Sequence, residues 1–151
     1  MGTRSTLRSV PMIVWLNGTF GVGKTTTSEL LVKALPKARL FDAECVGELL
    51  VPILTGVPCN DFQEWDPWRG LVVETAARVL DYVGGTLVIP QTVLVQEYWD
   101  EIAAGLGERG IPIAHFVLHA EQPRLRGKAQ VIETDRLTPE QVAEQVASLV
   151  G

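Results

Sequence analysis

Two cysteines, Cys45 and Cys59, and two histidines are all this chain has of the residues that build disulfide frameworks and zinc sites. The cysteines are too few for a disulfide scaffold and too far apart for a C-x-x-C pair. They read as buried apolar thiols, and the expected compartment is a reducing cytoplasm. No pair of histidines or carboxylates has zinc-ligand spacing. No apolar run approaches the roughly 20 residues that cross a bilayer, so no transmembrane segment is expected. Positive charge is also short: 13 Lys and Arg against 18 Asp and Glu leave a net charge of −5. Such a balance repels a nucleic-acid backbone, so nucleic acid is not an expected partner. There is no internal repeat, no low-complexity tract, no hydrophobic run ending in a Walker-B aspartate and no N-K-x-D guanine signature. Asp81-Tyr82-Val83-Gly84 spells the D-x-x-G of a GTPase switch, but it falls at the end of a well-phased helical pattern, and the switch reading is set aside.

What is present is enough for one domain. The chain has 151 residues, 46% apolar and 21% charged, a composition that excludes wholesale disorder and a second independent domain. Residues 1–11 are polar and form an expected flexible lead-in. Arg4 and Arg8 precede an apolar stretch too short for a signal peptide, and residues 12–151 are left as a single domain.

The centre of that domain is Gly18-Thr19-Phe20-Gly21-Val22-Gly23-Lys24-Thr25, which fits the phosphate-loop pattern G-x-x-x-x-G-K-[ST] at every required position. An apolar strand, residues 13–17, precedes it and a helix-period segment follows. Glycines let successive N–H groups turn inward toward phosphate oxygens, and the helix N-terminus adds partial positive charge. The nucleotide-binding set is therefore Gly18, Phe20, Gly21, Val22, Gly23, Lys24, Thr25 and Thr26. Lys24 reaches the outer phosphates and the Thr25 hydroxyl holds Mg²⁺.

Strand and helix patterns alternate from there. Helices are expected over residues 24–35 and 43–50, the second broken by Pro52, Gly56 and Pro58. Asp66-Pro67 reads as an N-cap with a first-turn proline. The helix it opens carries Trp68, Leu71, Val72, Thr75, Ala76, Val79, Leu80 and Val83 at helical spacing, and Gly84-Gly85 ends it. Another helix, over residues 95–109, turns Tyr98, Trp99, Ile102 and Leu106 inward. Thr138-Pro139-Glu140-Gln141 opens the last as a capping box. Strands are expected at 39–41, 86–90, 113–118 and 129–132. This alternation specifies an α/β fold, a five-stranded parallel sheet with helices on both faces and a ligand crevice beyond the carboxyl ends of the strands.

Residues at those ends are the site candidates. Asp42 reads either as a base accepting a proton from an attacking hydroxyl or as a helix N-cap, and the two are compatible. Gln91 and Thr92 end the third strand, and His119 the fourth; His115 reads as a satisfied core histidine. Arg69, off the apolar face, is a candidate for an anionic or polar substrate group. Trp65 and Phe62 are candidate stacking surfaces for a ring, with packing over a satellite cluster as the alternative. Only ten residues, 119–128, separate the fourth strand from the fifth, so a helix-plus-lid of the phosphoryl-transfer kind is expected to be curtailed or missing there. Arg124 and Arg126 are the arginines left to clamp phosphate, or else solvated surface residues.

The form W-x-N-G-x-F-G-x-G-K-T at residues 15–25, with Phe41-Asp42-Ala43-Glu44-Cys45-Val46-Gly47, Asp61-Phe62-Gln63 and Trp68-Arg69, resembles the tunicamycin resistance proteins. These are small P-loop proteins of the nucleoside-kinase and chloramphenicol-phosphotransferase type, and the likeness spans most of residues 12–150. It implies strand order 2-3-1-4-5, ATP with Mg²⁺ at the loop, and an antibiotic or nucleoside-like ligand near Asp42 and Arg69. Asp42 matches the catalytic base of the chloramphenicol phosphotransferases. The expectation is an ATP-dependent phosphotransferase acting on a small hydroxylated acceptor, with Lys24, Asp42 and Arg124 catalytic and Asp42, Trp65, Arg69 and Gln91 at the substrate. A drug-sequestering ATP-binding protein and a housekeeping small-molecule kinase are the alternatives, and a homodimer is compatible with any of them.

Overall fold

The computed structural model of the chain describes residues 10–18, 23–118, 130–132 and 137–150. Its central strand is β1 (Met12–Gly18), in which Ile13 to Gly18 are all buried. A strand buried on both faces is what a near-continuous apolar run produces in a parallel sheet. On one side β1 pairs with β3 (Thr86–Pro90), which pairs with β2 (Ala38–Leu40); on the other it pairs with β4 (Ile113–Leu118). All these pairings are parallel, so the body of the sheet runs β2-β3-β1-β4. The fifth strand, expected at 129–132, is β5 (Gln130–Ile132), a three-residue edge strand paired in parallel with Phe116 to Leu118, so the full order is β2-β3-β1-β4-β5.

Alternation along β1 divides the core. Ile13 and Trp15 face the helices α2 (Glu44–Ile53), α3 (Asp66–Val83) and α4 (Gln96–Glu108), where Trp68, Val72, Leu80, Trp99 and Ile102 are buried. Val14 and Leu16 face α1 (Lys24–Ala34) and α5 (Pro139–Val150), through Leu31, Val142 and Val146. This is a three-layer arrangement with helices on both faces. The capping box at α5 forms as expected: the Thr138 N–H donates to Gln141 Oε1 at 2.9 Å and the Gln141 N–H to Thr138 Oγ1 at 3.2 Å.

Several local expectations change. Helix α2 continues through Pro52 to Ile53, because a proline in the last turn removes one N–H and the rest of the turn still closes. Asp66 is the first helical residue of α3, not its N-cap; the preceding Trp65 holds the extended cap conformation. Leu71 and Val83, expected inward, are exposed.

A 3₁₀ turn at Phe62–Glu64 was not foreseen; the Asp61 carboxylate caps it by accepting the Gln63 N–H at 3.0 Å. Gly47 makes room for that turn. A Cβ there would lie 2.0 Å from Phe62 Cδ2, so Gly47→Ala is expected to destabilise by about 1–3 kcal/mol, the range for overpacking. Chemical denaturation measures this, and Phe62→Leu in the same chain is expected to recover part of the loss.

His115 lies in β4 with its ring stacked on Trp99, centroids 3.9 Å apart, and Trp99 meets Trp15 edge-on at 5.1 Å. It is a core histidine, but not a satisfied one, since Nε2 has no partner among the described residues. Burial pushes its pKa down from 6.5 to about 4. Between those values the unfolded chain takes up a proton that the folded protein refuses. The contribution is therefore complete above the unfolded pKa and lost as pH falls toward the folded one, by at most about 3 kcal/mol. Denaturation midpoints at about pH 7 and pH 5 should differ more for the wild type than for His115→Phe.

Candidate functional site

The carboxyl ends of β1, β2 and β3 open into a crevice of about 760 Å³, lined among others by Lys24, Thr25, Asp42, Gln63, Gln91 and Thr92. The first wall is the start of α1. Gly23 precedes it with φ +77°, a left-handed conformation that glycine adopts without steric cost. No side chain caps this helix and no acidic residue lies in its first turn, so its N-terminal N–H groups and dipole are left for an anion. Thr25 and Thr26 follow, both exposed on the crevice.

Lys24 reaches back to the end of β1. Its Nζ donates to the Gly18 carbonyl at 3.1 Å and to Thr92 Oγ1, and the Thr92 hydroxyl in turn donates to the Gly18 carbonyl. Burial lowers the Lys24 pKa, and the nearby Glu44 carboxylate works in the opposite direction. The ammonium is thus held by two neutral oxygens, partners that an anion would outcompete.

Asp42 stands two residues beyond β2. It accepts the Glu44 N–H at 3.0 Å in the turn that leads into α2, whose N-cap is Ala43, and it remains exposed on the crevice. Trp68 fixes the neighbouring backbone, donating its Nε1–H to the Ala43 carbonyl at 3.1 Å. Ala43 rather than Asp42 thus holds the N-cap position of α2, and the Asp42 carboxylate lines the crevice. The negative charge of Asp42, ahead of burial, also pushes the Cys45 thiol up, keeping it a protonated donor beside the carboxylate.

The floor after β3 is tied from two sides. Asn17, fully buried, clasps Val93 with both ends of its amide: Nδ2 donates to the Val93 carbonyl at 2.6 Å and Oδ1 accepts the Val93 N–H at 3.1 Å. Trp15 Nε1 donates to the Gln91 carbonyl at 2.9 Å. Gln63 reaches across from the 3₁₀ turn and donates to the Thr92 carbonyl.

Two substrate candidates are relocated. Trp65, offered as an exposed stacking surface, is 9% exposed and packs beside Phe62, centroids 6.0 Å apart; the packing alternative prevails because Trp65 belongs to the main core cluster. Arg69 is committed within the protein. It donates to the Gln63 carbonyl and to Glu101, approaches Asp66 at 3.5 Å and lies 4.5 Å over the Tyr98 ring. It therefore braces the crevice wall from behind rather than meeting ligand with a free guanidinium. Gln91 remains on the crevice. Phe20, Gly21, Val22, His119, Arg124 and Arg126, with the proposed lid segment 120–128, lie outside the described residues. Among the described residues no three His, Cys, Asp or Glu side chains cluster to hold a metal. Sequence reasoning missed Gln63 and Asn17 as site residues because their roles depend on long-range contacts that no spacing encodes.

No family model matches the chain, and no curated protein does. Among solved structures, the tunicamycin resistance protein of Deinococcus radiodurans superposes with a TM-score of 0.78 at 28% identity, covering 93% of this chain and 96% of that one. The chain is built like a tunicamycin resistance protein. That likeness extends to P-loop kinases in fold alone. The Mycobacterium tuberculosis APS kinase in complex with AMPPNP and APS gives TM-score 0.64 at 16% identity, over 93% and 98% of the two chains. A sugar kinase from Janibacter gives 0.65 at 18% identity, over 93% and 94%. The resemblance read from the motifs of the tunicamycin-resistance kind thus holds in three dimensions, and the fold is that of P-loop kinases. No helix among the described residues is long and apolar enough to cross a membrane.

Proposed function

We propose that the protein is an ATP-dependent phosphotransferase that moves the γ-phosphate of ATP to a hydroxyl of a small nucleoside-like antibiotic of the tunicamycin class. The observation that carries this reading is the meeting of Lys24, Thr25 and Asp42 on one crevice, at the starts of α1 and α2. The uncapped α1 N-terminus with Gly23 in the left-handed conformation fits a phosphate chain, and the exposed Thr25 hydroxyl fits Mg²⁺, which when bound neutralises phosphate charge. Lys24 leaves the Gly18 carbonyl for the phosphate oxygens. Asp42 orients the acceptor hydroxyl and takes its proton as the acceptor oxygen bonds to the γ-phosphorus. The bond from that phosphorus to the β–γ bridging oxygen breaks and ADP departs. Catalysis of this kind is mostly positioning and charge neutralisation. Arg124 is proposed to share in that neutralisation.

Incubation with ATP, Mg²⁺ and a panel of nucleosides and antibiotics, tunicamycin included, tests it. An acceptor gaining about 80 Da in mass is the expected result. Stoichiometric retention of the drug with no such product would favour sequestration, and turnover of unrelated acceptors alone would favour a housekeeping kinase.

A further inference from the structure

Three consecutive carbonyls after β3 each receive a side-chain donor from elsewhere in the chain: Gln91 from Trp15 Nε1 at 2.9 Å, Thr92 from Gln63 Nε2, and Val93 from Asn17 Nδ2 at 2.6 Å. Trp15 and Asn17 belong to β1. Gln63 belongs to the 3₁₀ turn, so its bond ties the sheet to a separate wall of the crevice. The residue is itself held from several sides. Its N–H donates to the Asp61 carboxylate at 3.0 Å, its carbonyl accepts an Arg69 N–H, Glu101 holds that arginine in turn, and Gln63 is 8% exposed. A backbone anchored at both ends leaves a buried side chain little freedom to lose on bonding. Burial of Thr92 does not by itself demand the bond: Thr92 is half-buried, where water can serve a carbonyl, and Gln91 Nε2 also approaches it at 3.4 Å. What the bond fixes is the placement of the residue whose hydroxyl accepts from Lys24 Nζ and donates to the Gly18 carbonyl.

We infer that Gln63 is a positioning residue for Lys24: by holding the Thr92 carbonyl it sets the Thr92 hydroxyl, and through that hydroxyl it aims the Lys24 ammonium into the crevice. An ammonium has three N–H donors. When phosphate oxygens replace the Gly18 carbonyl, Thr92 Oγ1 remains as the protein anchor that keeps the charge on target. Misplacing a charged group by a fraction of its contact distance weakens what it binds, so the wall built from Asp61, Gln63 and Arg69 acts on the phosphate side without touching it. The inference rests on the phosphotransferase reading in one respect, that Lys24 meets the outer phosphates of a nucleotide.

The test is a double-mutant cycle read by calorimetric titration with AMPPNP and with adenosine, both in Mg²⁺, on the wild type, Gln63→Met, Thr92→Val and the double variant. Gln63→Met, which keeps the length of the side chain and loses the donor, is expected to weaken AMPPNP about three- to tenfold. Thr92→Val should weaken it about tenfold or more, and the double variant should lie within about twofold of Thr92→Val alone, because Gln63 acts through Thr92. Adenosine, which offers Lys24 no phosphate, should bind every variant as it binds the wild type. Gln63→Glu removes the same donor at nearly unchanged size and should match Gln63→Met; thermal melts show which variants are folded. Losses that multiply in the double variant, adenosine weakened as much as AMPPNP, AMPPNP bound more tightly by either Gln63 variant, or failure of both Gln63 variants to fold would overturn the inference. So would wild-type affinity in both, which leaves the phosphotransferase reading standing. No binding of AMPPNP by the wild type would overturn that reading and this role with it.

Discussion

Asp42→Asn is expected to lower kcat by about 10²–10⁴-fold, the usual worth of a general base, while leaving the affinity for AMPPNP unchanged. Asparagine keeps the size of the side chain and an acceptor oxygen, so the Glu44 N–H retains its cap and α2 keeps its start. The Trp68 bond to the Ala43 carbonyl holds the same backbone independently. What disappears is the ability to take a proton at neutral pH. The pairing of outcomes isolates the base: turnover unchanged in the variant would leave Asp42 only as the acceptor of the Glu44 N–H and remove the base from the mechanism. Steady-state kinetics with the best acceptor, alongside calorimetry with AMPPNP, supplies both readings.

Asn17→Leu is expected to destabilise the protein by about 2–5 kcal/mol. Leucine matches the volume but leaves the Val93 N–H and carbonyl, both now held by the Asn17 amide, without partners at a buried position. Each such orphan costs about 1–3 kcal/mol. The damage should also reach the site, because Val93 follows Gln91 and Thr92, and Thr92 is what Lys24 and the Gly18 carbonyl share. Urea denaturation measures the first effect and AMPPNP affinity at a permissive temperature the second. A loss below about 1 kcal/mol would mean that the clasp contributes little.

How much of this was legible beforehand depended on range. The passage from β1 through Gly18 to α1 was readable because its apolar run, glycines, lysine and threonine are contiguous, and the Thr138 capping box spans only three residues. Asp42 was placed at a strand end by the same local logic. Arg69 and Trp65 were misjudged because their fates are decided across the fold: Glu101 lies in α4, and Trp65 joins a core cluster drawn from β1, α2, α3, β3 and α4. Gln63 escaped notice because a 3₁₀ turn of three residues leaves no periodic trace. Leu71 lay on the helical stripe, yet it is exposed in α3. Pro52 was treated as a stop, whereas in a last turn it removes a single hydrogen bond.

The claim on which the rest depends is that the crevice at the start of α1 recognises the phosphate chain of a nucleotide. Calorimetric titration of the wild-type protein with AMPPNP, ADP and adenosine in the presence of Mg²⁺ tests it most directly. Saturable one-to-one binding is expected for AMPPNP and ADP, with adenosine weaker by about 100-fold, the loss of two charge-assisted contacts. Absence of binding, or adenosine bound as tightly as AMPPNP, would contradict it.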